Sequence, residues 1–222
     1  MKSYIDELDR NIFNFVEYEG YDDRYPSLSM QAFSSDFYDE IRHASRRLFQ
    51  IFCKAAKVFQ MAPDDFARNM DMPDNLIPYL HKSNALGLPT WLSRFDFVLD
   101  VNGNLRMVEL NADTPCFLIE SYYANEVAAN YVGRKHPNIE CRKELHTFLK
   151  RMYDAVLSAK YGRNQYESMR ANRESLPKDP FVFSCFHDYF EDYGTTQFLM
   201  RELKTACPEA DTRFISFYDM KI

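Results

Sequence analysis

The segment SRFDFVLDVNGNLRMVELNADTPC, residues 93–116, is the feature that most constrains the fold of this chain. Asn102-Gly103 is a strong signal for the turn of a β-hairpin, and strand-like residues flank it on both sides, from about 91 to 111. A two-residue turn, or a four-residue loop at 101–104, pairs residues whose numbers sum to about 205, whereas a three-residue loop would break this pairing. Because side chains alternate between the faces of a strand, the hairpin has one polar and one apolar face.

The predicted polar face holds Arg94, Asp96, Glu109 and Asn111. Asp96 lies opposite Glu109 in this register, and opposed carboxylates repel each other unless a shared proton, an arginine or a cation offsets the repulsion. Asp, Glu and Asn supply three hard oxygen ligands, which suits Mg²⁺, and Arg94 beside them could hold a phosphate oxygen. The pattern therefore predicts phosphoryl chemistry on a two-strand platform. The alternative is that these residues form an ordinary solvated polar face on an edge hairpin.

The opposite, apolar face is predicted to turn toward the core and consists of Phe95, Phe97, Leu99, Val108 and Leu110. A long helix precedes the hairpin, at residues 35–60, with Ser34 or Ser35 as its N-cap. Its apolar stripe is expected to pack in the core and comprises Phe37, Ile41, Ala44, Leu48, Ile51, Ala55 and Val58.

The C-terminal half alternates helical and strand-like patterns. Residues 116–132 and 141–160 predict helices, and residues 161–180 are polar without an apolar period, which predicts an exposed or mobile segment. A strand at 181–186, a helix at 195–207 and a strand at 212–220 predict a parallel βαβ unit. The predicted class is therefore mixed α/β and helix-rich, with a hairpin platform and a C-terminal βαβ sheet. We divide the chain into an aromatic-rich segment 1–33 and a domain 34–222.

Composition excludes several classes of function. The formal net charge is −6 and acids and bases are interspersed, so no basic field for nucleic acid is present. No run of 18 apolar residues predicts a membrane helix, and the N-terminus lacks the apolar core of a signal peptide. The five cysteines are odd in number and widely spaced, which argues against a disulfide framework or a zinc site and favours the cytoplasm.

The hairpin motif, preceded by LGLPTW, resembles the pattern R-x-D-F, turn, E-x-N-A-D of the glutathionylspermidine synthase family of ATP-grasp ligases. The segment DYFEDYGTTQFLMREL is similar to a second region of that family, and the resemblance spans about residues 20–220. It implies a pre-ATP-grasp domain with a Rossmann-like sheet, in an ATP-dependent carbon–nitrogen ligase. In such enzymes ATP phosphorylates a peptide carboxylate, and an amine then attacks the acyl phosphate; in the named family these are glutathione and the polyamine spermidine.

The resemblance implies roles for the hairpin residues. Asp96, Glu109 and Asn111 would hold Mg²⁺, and Arg94 would stabilise the transferred phosphoryl group.

Further residues are implied to bind the substrates. Glu191 and Asp192 would receive the ammonium groups of the polyamine, although acids at the start of a helix are also favoured by its dipole. Asp113, Thr114 and Cys116 would line the peptide site. Here the chain departs from the family, which has small hydroxyl residues where this sequence reads Pro-Cys-Phe at 115–117, so the peptide can differ from glutathione.

The resemblance also places the region that clamps ATP beyond residue 222, and no P-loop occurs in the sequence. We therefore expect this chain alone not to turn over ATP. Two alternatives are a non-catalytic peptide- or polyamine-binding module derived from the same fold, and a metal-dependent hydrolase that uses Asp96 and Glu109 without ATP.

Overall fold

The computed structural model describes residues 3–17, 25–87, 90–112, 116–136, 138–172 and 179–220. The chain forms two compact units. The first unit combines Met1–Ser29 with Cys116–Ile222, and the second unit is Met30–Pro115. The predicted mixed, helix-rich α/β class is confirmed, whereas the division into a segment 1–33 and a domain 34–222 stays a prediction. Within the described ranges, no helix is both long enough and apolar enough to cross a bilayer.

The described residues of the second unit form three helices and the hairpin. Its elements are α1 (Ser35–Met61), α2 (Asp64–Asn69), α3 (Ile77–Leu86), β1 (Ser93–Leu99) and β2 (Leu105–Ala112). The two strands are antiparallel. The predicted cap of α1 is confirmed at Ser34, whose hydroxyl oxygen accepts a hydrogen bond of 3.1 Å from the backbone N–H of Phe37.

The prediction that the α1 stripe packs in the core is wrong. No side chain of α1 is fully buried; Ile41 and Leu48 are half-buried, while Ile51 and Val58 are 52% and 71% exposed. The stripe repeats every seven residues, whereas a straight helix has 3.6 residues per turn, so the stripe drifts by about 20° per repeat. By its third repeat it has left the side of α1 that its neighbours cover.

The first unit is built mainly of helices around a small parallel sheet. Its elements are a 3₁₀ turn (Tyr4–Glu7), a π-helical turn (Glu120–Ala124) that continues into α4 (Asn125–Tyr131), α5 (Cys141–Tyr161), α6 (Arg163–Ala171), β3 (Phe181–Phe183), α7 (Phe190–Ala206), β4 (Thr212–Phe214) and a second 3₁₀ turn (Phe217–Asp219). β3 and β4 pair in parallel, which confirms the predicted βαβ unit. Both strands are shorter than expected, and α7 begins five residues earlier than the predicted helix at 195–207.

The predicted exposure of the segment at 161–180 is largely confirmed for α6, which lies within it, but the sequence did not predict that this stretch is helical. Tyr166 is buried and donates a hydrogen bond of 2.7 Å to Asp154 on α5. Arg163 and Glu167 form an i,i+4 ion pair on the exposed side. One anchoring side chain gives no period in the sequence, which is why the polar composition concealed this helix. Residues 173–178 lie outside the described residues.

The N-terminal segment supplies much of the core of the first unit. Phe13, Phe15 and Val16 are almost completely buried. A Cβ atom added at Gly194 would lie 2.5 Å from Oδ1 of Asn14 and 2.9 Å from the ring of Phe15. Glycine at this position of α7 therefore allows the N-terminal segment to pack directly against the helix backbone.

A buried carboxylate joins α5 to α7. The side chain of Glu202 is 1% exposed, and Arg142 donates two hydrogen bonds to it, of 2.8 and 3.1 Å. His146 donates a third, of 2.6 Å. Burial acts to raise the pKa of Glu202, but the hydrogen bonds from Arg142 and His146 outweigh it and hold the pKa below its ordinary value. These hydrogen bonds therefore stabilise the packing of α5 against α7 only while the carboxyl group of Glu202 is ionised.

We expect Glu202→Gln to lower the free energy of unfolding by about 2 kcal/mol at neutral pH, because Arg142 and His146 lose their ionised partner. Urea unfolding followed by circular dichroism measures this. Glu144→Gln, on an exposed position of α5, is the matched control and should stay within about 0.5 kcal/mol of the wild type. Equal effects of the two substitutions would contradict the role of the buried pair.

The cost of Glu202→Gln should also depend on pH. Because the folded pKa of Glu202 lies below the ordinary value of 4.5, its contribution is complete above pH 4.5 and is lost as the pH falls through the lower, folded pKa. The stability difference between wild type and Glu202→Gln is therefore expected to shrink on acidification below that value. A difference that stays constant down to acid unfolding would contradict this assignment.

Candidate functional site

The loop of the hairpin has three residues, 101–103, and not the predicted two or four. The backbone N–H of Asp100 donates to the carbonyl of Asn104 and that of Gly103 to the carbonyl of Asp100, each at 2.9 Å. Gly103 has φ of 78°, in the left-handed region. A turn followed by a left-handed glycine is the usual form of a three-residue hairpin loop.

A β-bulge restores the predicted register beyond this loop. Next to the loop the pairs are Leu99↔Leu105 and Phe97↔Met107, whose numbers sum to 204. The register then shifts between Asp96 and Phe97, so that one extra residue of β2, Val108, is accommodated there. From that point the numbers sum to 205.

The predicted pairs Asp96↔Glu109 and Arg94↔Asn111 are therefore confirmed. The predicted apolar face of the hairpin needs correction at two residues, Val108 and Leu99. The bulge puts Met107 opposite Phe97, while Val108, which was predicted to face the core, is 58% exposed. Leu99, at the end of β1, is also 53% exposed.

Arg94 lies between the two opposed acids. Its guanidinium forms a fork with Asp96, with donor–acceptor distances of 2.7 Å from Nε and 3.0 Å from Nη2. The same Nη2 is 3.9 Å from Oε1 of Glu109, and Nδ2 of Asn111 donates to that oxygen at 2.8 Å. Arg94 therefore offsets part of the repulsion between the acids, which is one of the three possibilities that the sequence left open.

The electrostatics of the hairpin face follow from this fork. The hydrogen bonds from Arg94 hold the pKa of Asp96 below its ordinary value of 3.8. The side chains of Arg94, Asp96 and Glu109 are 31%, 35% and 55% exposed, so a ligand can reach all three from solvent. A preformed guanidinium beside two carboxylates can bind a phosphate oxygen and a cation at neighbouring positions.

The donor set of this face fits a hard cation. Asp96 and Glu109 supply carboxylate oxygens, and the hydrogen bond from Asn111 uses its amide nitrogen rather than its oxygen. A carboxylate has about four acceptor positions, of which the Arg94 fork uses two on Asp96. In the part of the chain that the structure describes, no three His, Cys, Asp or Glu side chains cluster as a metal site. Mg²⁺ would thus depend on two carboxylates, one amide oxygen, and water or phosphate.

Two of the predicted substrate residues meet in the first unit. The thiol of Cys116 donates to Oδ1 of Asp192 at a sulfur–oxygen distance of 3.3 Å. Asp192 and Glu191 lie in the first turn of α7, where the helix dipole favours acids. The predicted residues Asp113 and Thr114 lie outside the described residues.

The residue after Cys116 has a feature that the sequence did not predict. Phe117 has φ of 76°, which is unfavourable for a residue with a bulky side chain. Such strain, of order 1–3 kcal/mol, tends to occur at binding sites and active sites. Only the departure from the family at residues 115–117 marks this position in the sequence, and that departure does not reveal the backbone angle.

The described fold, a helix-rich α/β arrangement that carries a charged hairpin, is of the kind that the resemblance to a pre-ATP-grasp domain implies. A family model, glutathionylspermidine synthase preATP-grasp, matches residues 4–221, nearly the whole chain. The chain therefore belongs to the glutathionylspermidine synthase pre-ATP-grasp family, which confirms the resemblance drawn from the hairpin motif. A search among curated proteins found no match.

We expect Arg94→Met to raise the pKa of Asp96 toward its ordinary value, since the hydrogen bonds from Arg94 are the largest cause of its lowering. Carbon-detected NMR titration of the side-chain carboxyl groups measures this. Arg106→Met is the matched control, because Arg106 lies on the same hairpin but pairs with Asp100. An unchanged pKa of Asp96 in Arg94→Met would mean that the fork does not govern its ionisation.

Proposed function

We propose that this chain is the substrate and metal platform of an ATP-dependent carboxylate–amine ligase. The observation that carries this proposal is the bulge-corrected register, which sets Arg94, Asp96, Glu109 and Asn111 on one accessible face. Membership of the glutathionylspermidine synthase pre-ATP-grasp family supports a ligase of this kind. The proposed ligands of the hairpin are therefore Mg²⁺ and the phosphates of ATP.

The four hairpin residues divide into metal ligands and a phosphate-binding arginine in the proposal. Asp96, Glu109 and Asn111 hold Mg²⁺, which when bound neutralises phosphate charge during phosphoryl transfer. Arg94 binds the equatorial oxygens of the transferred group, where charge is spread in the transition state. Its link to Asp96 orients the guanidinium before substrate arrives, which reduces the entropy lost on binding.

The substrates of the proposed reaction are a small, glutathione-like peptide and a polyamine or another amine. Cys116 and Asp192, which are hydrogen-bonded to each other, are proposed to contact them, together with Glu191, Asp113 and Thr114. Carboxylates at the start of α7 would pair with ammonium groups and position the attacking amine. No disulfide joins the five cysteines, all of which lie within the described residues, which supports a reducing compartment, and we propose the cytoplasm.

Binding of Mn²⁺, as a spectroscopic substitute for Mg²⁺, tests the hairpin assignment. We expect the wild-type chain to bind Mn²⁺ in the presence of ADP, and Glu109→Gln to weaken this binding by about tenfold or more, as losses at metal sites typically do. Electron paramagnetic resonance of free Mn²⁺ gives the affinity. Glu40→Gln, which removes an exposed acid from α1 of the same unit, is the matched control and should bind as the wild type does.

Wild-type affinity in Glu109→Gln would overturn the metal assignment, provided that circular dichroism shows both variants folded. Two further results would favour the alternatives. Binding of glutathione or spermidine without dependence on the metal would favour a non-catalytic module. Hydrolysis that depends on Asp96 and Mn²⁺ but not on ATP would favour a hydrolase.

A further inference from the structure

The face of the hairpin opposite Arg94 borders a cavity of about 760 Å³ within the second unit. One helical face of α1, the end of α3 and the hairpin form its walls. Apolar groups provide most of its surface, and Phe49, Phe52, Trp91 and Leu110 are among the residues that line it. Volumes of about 300–1,000 Å³ with such linings are typical of sites for small molecules.

Contacts on two sides of the cavity hold its walls in place. His81 of α3 is 2.9 Å from the carbonyl oxygen of Gln60 on α1 and 2.8 Å from Oδ1 of Asp64. On another side the rings of Phe52 and Phe95 pack with their centroids 6.0 Å apart, which links α1 to β1. The cavity therefore lies between elements that are already joined, and a ligand need not separate them.

The charge of the cavity lining is of one sign, positive. Lys57 is its single charged residue among those the structure describes, and no carboxylate lines the cavity. No hydrogen bond or ion pair to a described residue engages the Lys57 ammonium group. Lys54, one turn earlier on α1, is also exposed but does not line the cavity. An apolar surface with one cation is complementary to an apolar anion rather than to a neutral or cationic molecule.

We propose that this cavity binds a small molecule with an apolar body of ring size and one anionic group. The body packs against Phe49, Phe52 and Trp91, and the anionic group pairs with Lys57. Asn84 and Gln60 also line the cavity and provide hydrogen-bonding groups for the polar end of the ligand. This site is separate from the proposed metal site, because its side chains lie on the other face of the hairpin from Arg94 and Asp96.

The chain contains a reporter for this site. Trp91 is the only tryptophan in the sequence and lines the cavity. Energy transfer from Trp91 to a naphthalene probe therefore detects probe bound near the cavity and discriminates against probe on distant apolar surface. Anilinonaphthalene sulfonate serves as the anionic probe, and N-phenylnaphthylamine as its uncharged counterpart with the same ring system.

Three variants of the full chain separate the two parts of the proposal. Lys57→Gln is expected to raise the Kd of the sulfonate about fivefold, the upper end for a partly exposed ion pair, and to change the Kd of the neutral amine by less than about twofold. Ala56→Phe, which fills the cavity from α1, is expected to remove energy transfer to both probes. Lys54→Gln should leave both affinities unchanged.

Other outcomes overturn the proposal. These are the absence of saturable energy transfer in the wild type, equal effects of Lys57→Gln and Lys54→Gln on the sulfonate, or undiminished transfer to both probes in Ala56→Phe. Circular dichroism confirms that each variant is folded, and Lys57→Gln alone remains decisive if Ala56→Phe does not fold. None of these variants alters Asp96 or Glu109, so failure here leaves the Mn²⁺ experiment unaffected.

Discussion

The bulge at Val108 is the constraint on which the charged face of the hairpin depends. A three-residue loop alone would put Asp96 opposite Val108 and turn Glu109 to the other face, because neighbouring side chains of a strand point in opposite directions. The extra residue cancels the offset that the loop introduces. Two local irregularities therefore combine to produce one regular arrangement of acids, arginine and amide.

The two units use charged groups in different ways. In the first unit, Glu202 is buried and accepts enough hydrogen bonds from Arg142 and His146 to remain ionised. Its carboxylate therefore serves to hold α5 against α7. On the hairpin, Arg94 satisfies Asp96 only in part and all the charged groups stay accessible. Accessible charges with spare acceptor positions suit ligand binding, whereas saturated buried charges suit packing.

Much of the architecture could be predicted from the sequence, because local patterns specify it. The Asn-Gly turn signal located the hairpin, Ser34 marked the start of α1, and the strand–helix–strand pattern gave the parallel pair. The pairing of Asp96 with Glu109 was predicted correctly, although through a loop of the wrong length. The bulge could not be predicted, because no residue type at 107–109 favours a bulge. It is required only by the combination of a three-residue loop with strands whose polar side chains share one face.

The remaining errors have a common physical origin, namely that a pattern does not show which surface a neighbour covers. The seven-residue period of α1 predicted burial, but the elements around α1 cover only part of its circumference. Conversely, α6 has a single buried anchor, Tyr166, and no visible period. The backbone angle of Phe117 depends on tertiary packing and has no counterpart in residue type.

Exposed hairpin loops usually tolerate changes in length, since closing a longer loop costs little entropy. The loop at 101–103 differs because its residue count is matched to the bulge at Val108, five positions after the last loop residue. If the three-residue loop is kept, deleting one residue there would require β2 either to lose its bulge or to present Leu110 in place of Glu109. A solvent-exposed tip that begins five residues after Asp96 thus has a constrained length. Homologous hairpins that vary in this count should vary at the bulge as well.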